Sequence, residues 1–189
     1  MRILIDVDDT LADFAPSFLD LAFEVTGKRY HITDFDTWLF DNPTHFTAEE
    51  AKALWLALDN TPGFILNLPP VEGAVSALTE LRLLGDVFAV TSPHLGPLWF
   101  YERAMWLKQH GFGRSTMAFI TTKQYVTGDV FIDDNPEHID NWKAHHPKGL
   151  ALLWHRYNTR KYSTKGARVY SWEEVIERIL QYQADKGIA

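Results

Sequence analysis

Not one cysteine occurs among the 189 residues, which excludes disulfide bridges, thiol nucleophiles and zinc–thiolate sites. No apolar run approaches the about 18 residues that a membrane-spanning helix needs. A surplus of positive charge is missing as well, since 18 Lys and Arg stand against 25 Asp and Glu for a net charge of −7. A nucleic-acid-backbone binder needs a basic face that releases counterions, so no polymer of that kind is expected as partner. Repeats and low-complexity tracts are absent. The opening apolar run Ile3-Leu4-Ile5 meets acids at once, too soon for a signal peptide. A soluble cytoplasmic protein without a membrane partner is the expectation.

What is there suffices for one α/β domain with a modest insertion, because 46% of the residues are apolar and a chain of this length can bury an ordinary core. The stretch Ile3-Leu4-Ile5-Asp6-Val7-Asp8-Asp9-Thr10-Leu11 organises the rest. An apolar strand runs into three carboxylates at the point where a parallel sheet opens its ligand crevice. Acids so close repel one another, and a hard, oxygen-seeking cation such as magnesium is the simplest remedy. The plain alternative is an Asp-rich turn that caps a helix.

Helical spacing from Leu11 to Val25 predicts a helix stopped by Gly27. Between Tyr30 and Pro70 turn residues accumulate, interrupted by the capping box Thr47-Ala48-Glu49-Glu50 ahead of Leu54, Trp55 and Leu58. This reads as a small helical insert. Its aromatics Phe35, Trp38, Phe40, Phe46, Trp55 and Phe64 should mostly build its own core, yet flat rings also stack on nucleobases, at about 1 to 3 kcal/mol per base. At least one of Trp38, Phe40 and Trp55 is expected to touch ligand, while Phe14, near the start of the first helix, faces either core or crevice.

Beyond it a helix over 71–84 ends at Gly85, and Asp86 to Ser92 form a strand whose terminal Thr91-Ser92 pair can donate hydrogens to a phosphate. A helix from Leu98 to His110 follows. Then come a strand over 117–120, Lys123, a strand ending in Asp133-Asp134, a helix from Pro136 to His145, a strand over 149–154 and a closing helix from Trp172 to Gln183 capped by Ser171. Strands alternating with helices dictate a doubly wound parallel sheet. Two acidic strand ends can share one ion only if their strands lie side by side. His138, His145 and His146 read as solvated helix-face residues. Ser92, His94 and Asp86 lack a nucleophile elbow and form no catalytic triad.

In order, Asp6-x-Asp8-x-Thr10, Thr91-Ser92, Lys123 and Asp133-Asp134 resemble the four motifs of the haloacid-dehalogenase-like (HAD) phosphatases. Asp13-Phe14, Thr91-Ser92-Pro93 and Lys123 ahead of Ile132-Asp133-Asp134 look like the 5′(3′)-deoxyribonucleotidase branch, although its animal members usually carry Gly-Val where this chain has Asp9-Thr10. The resemblance implies a HAD-like core over 1–14 and 71–189 with a small helical cap over 15–70. It implies Asp6 as nucleophile and Asp8 as general acid and base. Magnesium would be held by Asp6, the Asp8 carbonyl and Asp134, with Asp133 as ligand or supporting acceptor. Thr10, Thr91, Ser92 and Lys123 would hold phosphate, and Phe14, Trp38, Phe40 and Trp55 would meet the base of a deoxynucleoside monophosphate. The same motifs would serve a phosphatase for sugar phosphates or other small phosphomonoesters. A non-catalytic, magnesium-dependent binding module is the alternative from another class. A homodimer remains open.

Overall fold

A computed structural model describes residues 1–36, 45–94 and 96–187. Trp38 and Phe40 therefore lie outside the described residues. Six parallel strands, β1 (Arg2–Ile5), β2 (Asp86–Thr91), β3 (Met117–Phe119), β4 (Val130–Asp133), β5 (Leu150–Trp154) and β6 (Ala167–Val169), stand in the order β3-β2-β1-β4-β5-β6. The chain builds outward from β1 through β2 and β3, then returns to β1's other side. The direction of winding therefore reverses at β1, and ligands bind at such reversals, outside the strands' carboxyl ends.

Among the described residues six α-helices accompany these strands: α1 (Phe14–Thr26), α2 (Ala48–Asn60), α3 (Ala74–Leu84), α4 (Pro97–Gln109), α5 (Pro136–His145) and, after the last strand, α6 (Trp172–Lys186). Side chains of β1 alternate as the pleat requires, with Ile3 and Ile5 in the larger core and Leu4 joining Val90, Phe131, Ile139 and Trp142 in a smaller one. The expected helix from residue 71 begins only at Ala74, because Gly73 turns the backbone to φ 78°, a left-handed conformation that stops a helix. Strand β6 was not foreseen. Its three residues are too few to display alternation, and only Val169 among them is fully buried.

Helices α1 and α2 pack against one another. The capping box forms as expected, with Thr47 Oγ1 accepting from the Glu50 amide at 3.2 Å and Glu50 Oε2 accepting from the Thr47 amide at 2.8 Å. Phe35 and Phe46 are buried beside Leu54 and Leu58, each such side chain contributing roughly 1.5–3 kcal/mol. Where this segment returns to the sheet, the buried Glu102 of α4 accepts hydrogen bonds from the amides of Gly63, Ile65 and Leu66 at 2.5, 3.0 and 3.2 Å. Trp106, one turn further on, donates Nε1–H to the Leu68 carbonyl at 2.8 Å.

Candidate active site

The Asp6 amide donates to the Ile132 carbonyl at 2.8 Å, so the β1–β4 pairing continues to the end of the strands and sets Asp6 beside Asp133 and Asp134. Beyond it the Val7 carbonyl accepts from the amides of Thr10, Leu11 and Ala12, folding Asp8 and Asp9 into a tight loop. Asp9 adopts φ 56°, a conformation that Asp tolerates better than most residues. Its carboxylate accepts from the Ala15 amide at 2.8 Å and from Arg156 at 2.5 Å. Arg156 also grips Asp13.

Lys123 is buried between two acids, 2.6 Å from Asp6 Oδ1 and 2.8 Å from Asp133 Oδ2. Burial lowers the lysine pKa, but Asp133 and Asp6 outweigh it and hold the ammonium charged far above its ordinary range. Asp133 is fully engaged, with Oδ1 accepting from the Asn135 amide at 2.8 Å and Oδ2 also facing His138 Nδ1 at 3.1 Å. Although burial works against it, Lys123 and His138 hold Asp133 down at about 2.

Asp6 is pushed up to about 7, by burial first and Asp133 second, against the pull of Lys123. Asp134 is raised well above the carboxylate range by burial and by the charges of Asp9, Asp133 and Asp6. Oxygens of Asp6, Asp133 and Asp134 all lie within 4.8 Å of one another. Six carboxylates, counting Asp8, Asp9 and Asp13, thus face three permanent cations, Lys123, Arg103 and Arg156. A buried all-oxygen cluster with uncompensated negative charge fits a hard divalent cation. Because Lys123, His138 and a backbone amide already occupy Asp133, Asp6 and Asp134 are the side chains left for such an ion.

Asp8 takes a hydrogen bond from Arg103, whose guanidinium is fully buried against the rings of Trp99 and Trp106. Sequence reasoning missed Arg103, though it left a signal. Trp99, Glu102, Arg103 and Trp106 recur at the spacing of a buried helical stripe, with two charges where apolar residues belong. Arg156 gave no signal, because its partners lie at the other end of the chain. His138 needs correction: it is no solvated helix-face residue. Its place in the first turn of α5, directly after β4, aims it at Asp133, whereas His145 and His146 bond the carbonyls of Asn141 and Gln124.

These groups open on a cavity of about 260 Å³ lined by Asp6, Asp8, Thr91, Ser92, Lys123 and Asp134 on one side and by Phe14, Trp55 and His94 on another. The buried Thr91 hydroxyl has no protein partner, which leaves it available to a ligand oxygen. Thr10 is buried beneath the loop, its hydroxyl also unpartnered, and does not line the cavity. Trp55 reaches the cavity with its indole stacked on His94, 5.0 Å between ring centroids, and tilted against Phe18 at 5.2 Å.

Residues 1–185 match the family model described as 5′ nucleotidase, deoxy (pyrimidine), cytosolic type C protein. The human cytosolic-type 5′(3′)-deoxyribonucleotidase is 33% identical over 147 residues, covering 71% of this chain and 70% of its own. The mouse mitochondrial 5′(3′)-deoxyribonucleotidase is 28% identical, with 95% of this chain and 85% of its own covered. Among solved structures, a HAD-family hydrolase from Deinococcus radiodurans R1 with bound phosphate and sodium superposes with a TM-score of 0.58 at 12% identity, over 96% of this chain and 95% of its own. That likeness concerns the fold.

Proposed function

Since the chain belongs to the 5′ nucleotidase, deoxy (pyrimidine), cytosolic type C family and is thereby a phosphoric monoester hydrolase, we propose that it hydrolyses deoxynucleoside monophosphates through an aspartyl phosphate on Asp6. The observation that carries this reading is the buried Asp6 carboxylate, 2.6 Å from Lys123 and beside Asp134, at the floor of an aromatic-walled cavity.

Asp6 attacks phosphorus, and the sugar oxygen leaves with a proton from Asp8. Asp8 then takes a proton from water as that water attacks the aspartyl phosphate, releasing phosphate and regenerating Asp6. Lys123, Thr91 and Ser92 hold the phosphoryl oxygens. Magnesium, when bound by Asp6, Asp134 and the Asp8 carbonyl, supplies positive charge against the oxygens of the transferring group. Residues 15–70 act as a cap contributing Trp55. Among the described residues no helix is long and apolar enough to cross a membrane, and we infer a cytoplasmic enzyme, a reading that the cytosolic-type human relative supports.

A turnover panel of deoxynucleotides, ribonucleotides and sugar phosphates tests the substrate class. Deoxynucleoside monophosphates should lead. Equal rates throughout would leave only the broader reading, a phosphatase for small phosphomonoesters.

Two further outcomes are expected. Arg103→Met deprives Asp8 of its guanidinium and should lower kcat on a deoxynucleotide about 10- to 100-fold, within the range that general acid catalysis supplies. A p-nitrophenyl ester, whose leaving group needs little protonation, should lose less, so the two rate ratios separate an effect on Asp8 from general damage.

The second concerns pH. Because Asp6 binds its proton more tightly folded than unfolded, with a pKa of about 7 against 3.8, the metal-free protein is favoured below pH 4 and loses that contribution as pH rises through 7. Asp133, held low, acts in the opposite sense and only below that window. Magnesium requires ionised carboxylates. From about pH 5 to about pH 8 the metal-free Tm should fall while the Tm gain on saturation with magnesium widens. Calorimetric scans with and without the ion, showing a pH-independent gain, would contradict this.

A further inference from the structure

Asp9 sits in the loop after β1 and takes no part in the hydrolytic steps assigned to its neighbours. Its side chain is 7% exposed, and it lines the cavity together with Asp6, Asp8 and Asp134. A buried carboxylate is costly unless its oxygens are met by donors or by charge. On Asp9 only one oxygen is met by the protein.

Oδ1 accepts from the Ala15 amide at 2.8 Å and from Arg156 Nη2 at 2.5 Å. These donors come from the first turn of α1 and from the segment after β5, and between them they fix the plane of the carboxylate. Arg156 is held in turn by Asp13. Oδ2 accepts nothing among the described residues. Tying the loop to α1 needs Oδ1 alone.

Asp9 stands near the acids that fit a cation without joining them. Of the charges acting on Asp134, that of Asp9 is the strongest, ahead of Asp133 and Asp6. Yet the oxygens that gather within 4.8 Å of one another come from Asp6, Asp133 and Asp134 and not from Asp9. Asp9 therefore faces the cluster from outside direct coordination. Magnesium demands about six oxygens and gives up its water reluctantly, so two side chains and one carbonyl leave places for water around it. Water polarised by a dication is a strong donor, and an ionised carboxylate is its best acceptor.

We propose that Asp9 is a magnesium-positioning residue, its Oδ2 accepting a hydrogen from water on the ion while Arg156 and the Ala15 amide hold Oδ1. This rests on the magnesium reading above and adds to it a carboxylate that is not a direct ligand.

Calorimetric titration of magnesium into the protein tests it, at about pH 8, where protons compete less with the ion than at neutrality. Asp9→Asn keeps an oxygen for Ala15 and Arg156, tolerates φ 56°, and sets an amide donor where Oδ2 stood. The magnesium Kd should rise about 10- to 100-fold, the loss that follows removal of an outer partner of a bound metal. The Tm gain at a fixed magnesium concentration should shrink with it. Asp13→Asn removes the same charge from the same arginine on a residue that does not line the cavity, and its Kd should stay within about threefold of wild type. Asp9→Gly, which also fits the left-handed backbone, carries the test if Asp9→Asn does not fold. A Kd within about threefold of wild type in the folded Asp9 variant, or an equal rise in Asp13→Asn, overturns the assignment. A wild-type protein that binds no magnesium overturns instead the magnesium reading on which it rests.

Discussion

Asp6→Asn should abolish phosphate release from every substrate, leaving less than a few per cent of wild-type kcat. The amide keeps the shape of the side chain and cannot serve as the attacking oxygen of a stable acyl phosphate. Phosphate-monoester hydrolysis asks for accelerations as large as about 10²¹-fold, and no neighbour replaces a lost nucleophile. Stability should move the other way. Asp6 is an acid that burial and Asp133 make reluctant to ionise, so neutralising it relieves repulsion with Asp134, and the metal-free Tm near neutral pH should rise. Inactivity with a raised Tm marks a catalytic group held at a cost to the fold. Acid quenching adds a direct reading: the wild-type protein should carry phosphate label on Asp6 and the variant none. Retention of more than a few per cent of activity would remove Asp6 from the centre of the mechanism.

Lys123→Met should damage both function and fold. Its ammonium is the one cation within salt-bridge distance of both Asp6 and Asp133 among the described residues. Deleting one member of a buried ion pair strands the other, a loss of about 3–5 kcal/mol. Here two carboxylates are stranded beside Asp134. Chemical denaturation should show the midpoint shifted with an unchanged slope. The lysine's contribution, from a pKa raised in the fold, is fully present below its ordinary value of 10.5, so the deficit should persist across neutral pH. Magnesium should recover part of it by offsetting the exposed charge. Turnover should fall by about 10²- to 10³-fold, the scale on which one electrostatic donor to a reacting oxygen is lost. A variant as stable as wild type would show that the pair is not the anchor its burial implies.

Much of this was legible in the chain because strand ends and carboxylates are local features. Asp6 and Asp133-Asp134 each terminate an apolar run, and alternation of strand and helix leaves few ways to arrange them other than adjacent and parallel. The capping box at Thr47 and the Ser171 cap were likewise written into a few consecutive residues. What escaped was set by tertiary contact. Arg103 and Arg156 gain their meaning from acids far away in sequence, at Asp8 and at Asp9 and Asp13. His138 looked solvated because helical spacing does not reveal what a first turn faces. Strand β6 is held by its pairing with β5, since three residues carry too little pattern to announce themselves. Trp55 lines the cavity, but its stacking on His94 and its tilted contact with Phe18 could not be read from the segment's own sequence.

Helix α4 has an outcome for engineering. Its one buried side grasps the returning backbone at Gly63, Ile65 and Leu66 through Glu102, takes the Leu68 carbonyl through Trp106, and steadies Asp8 through Arg103. A chimera that imports the segment between β1 and α3 from a relative, in order to exchange substrate range, therefore transplants only half of a joint. Unless the recipient's α4 is recut to suit the graft, the new specificity would arrive with a misaligned Asp8.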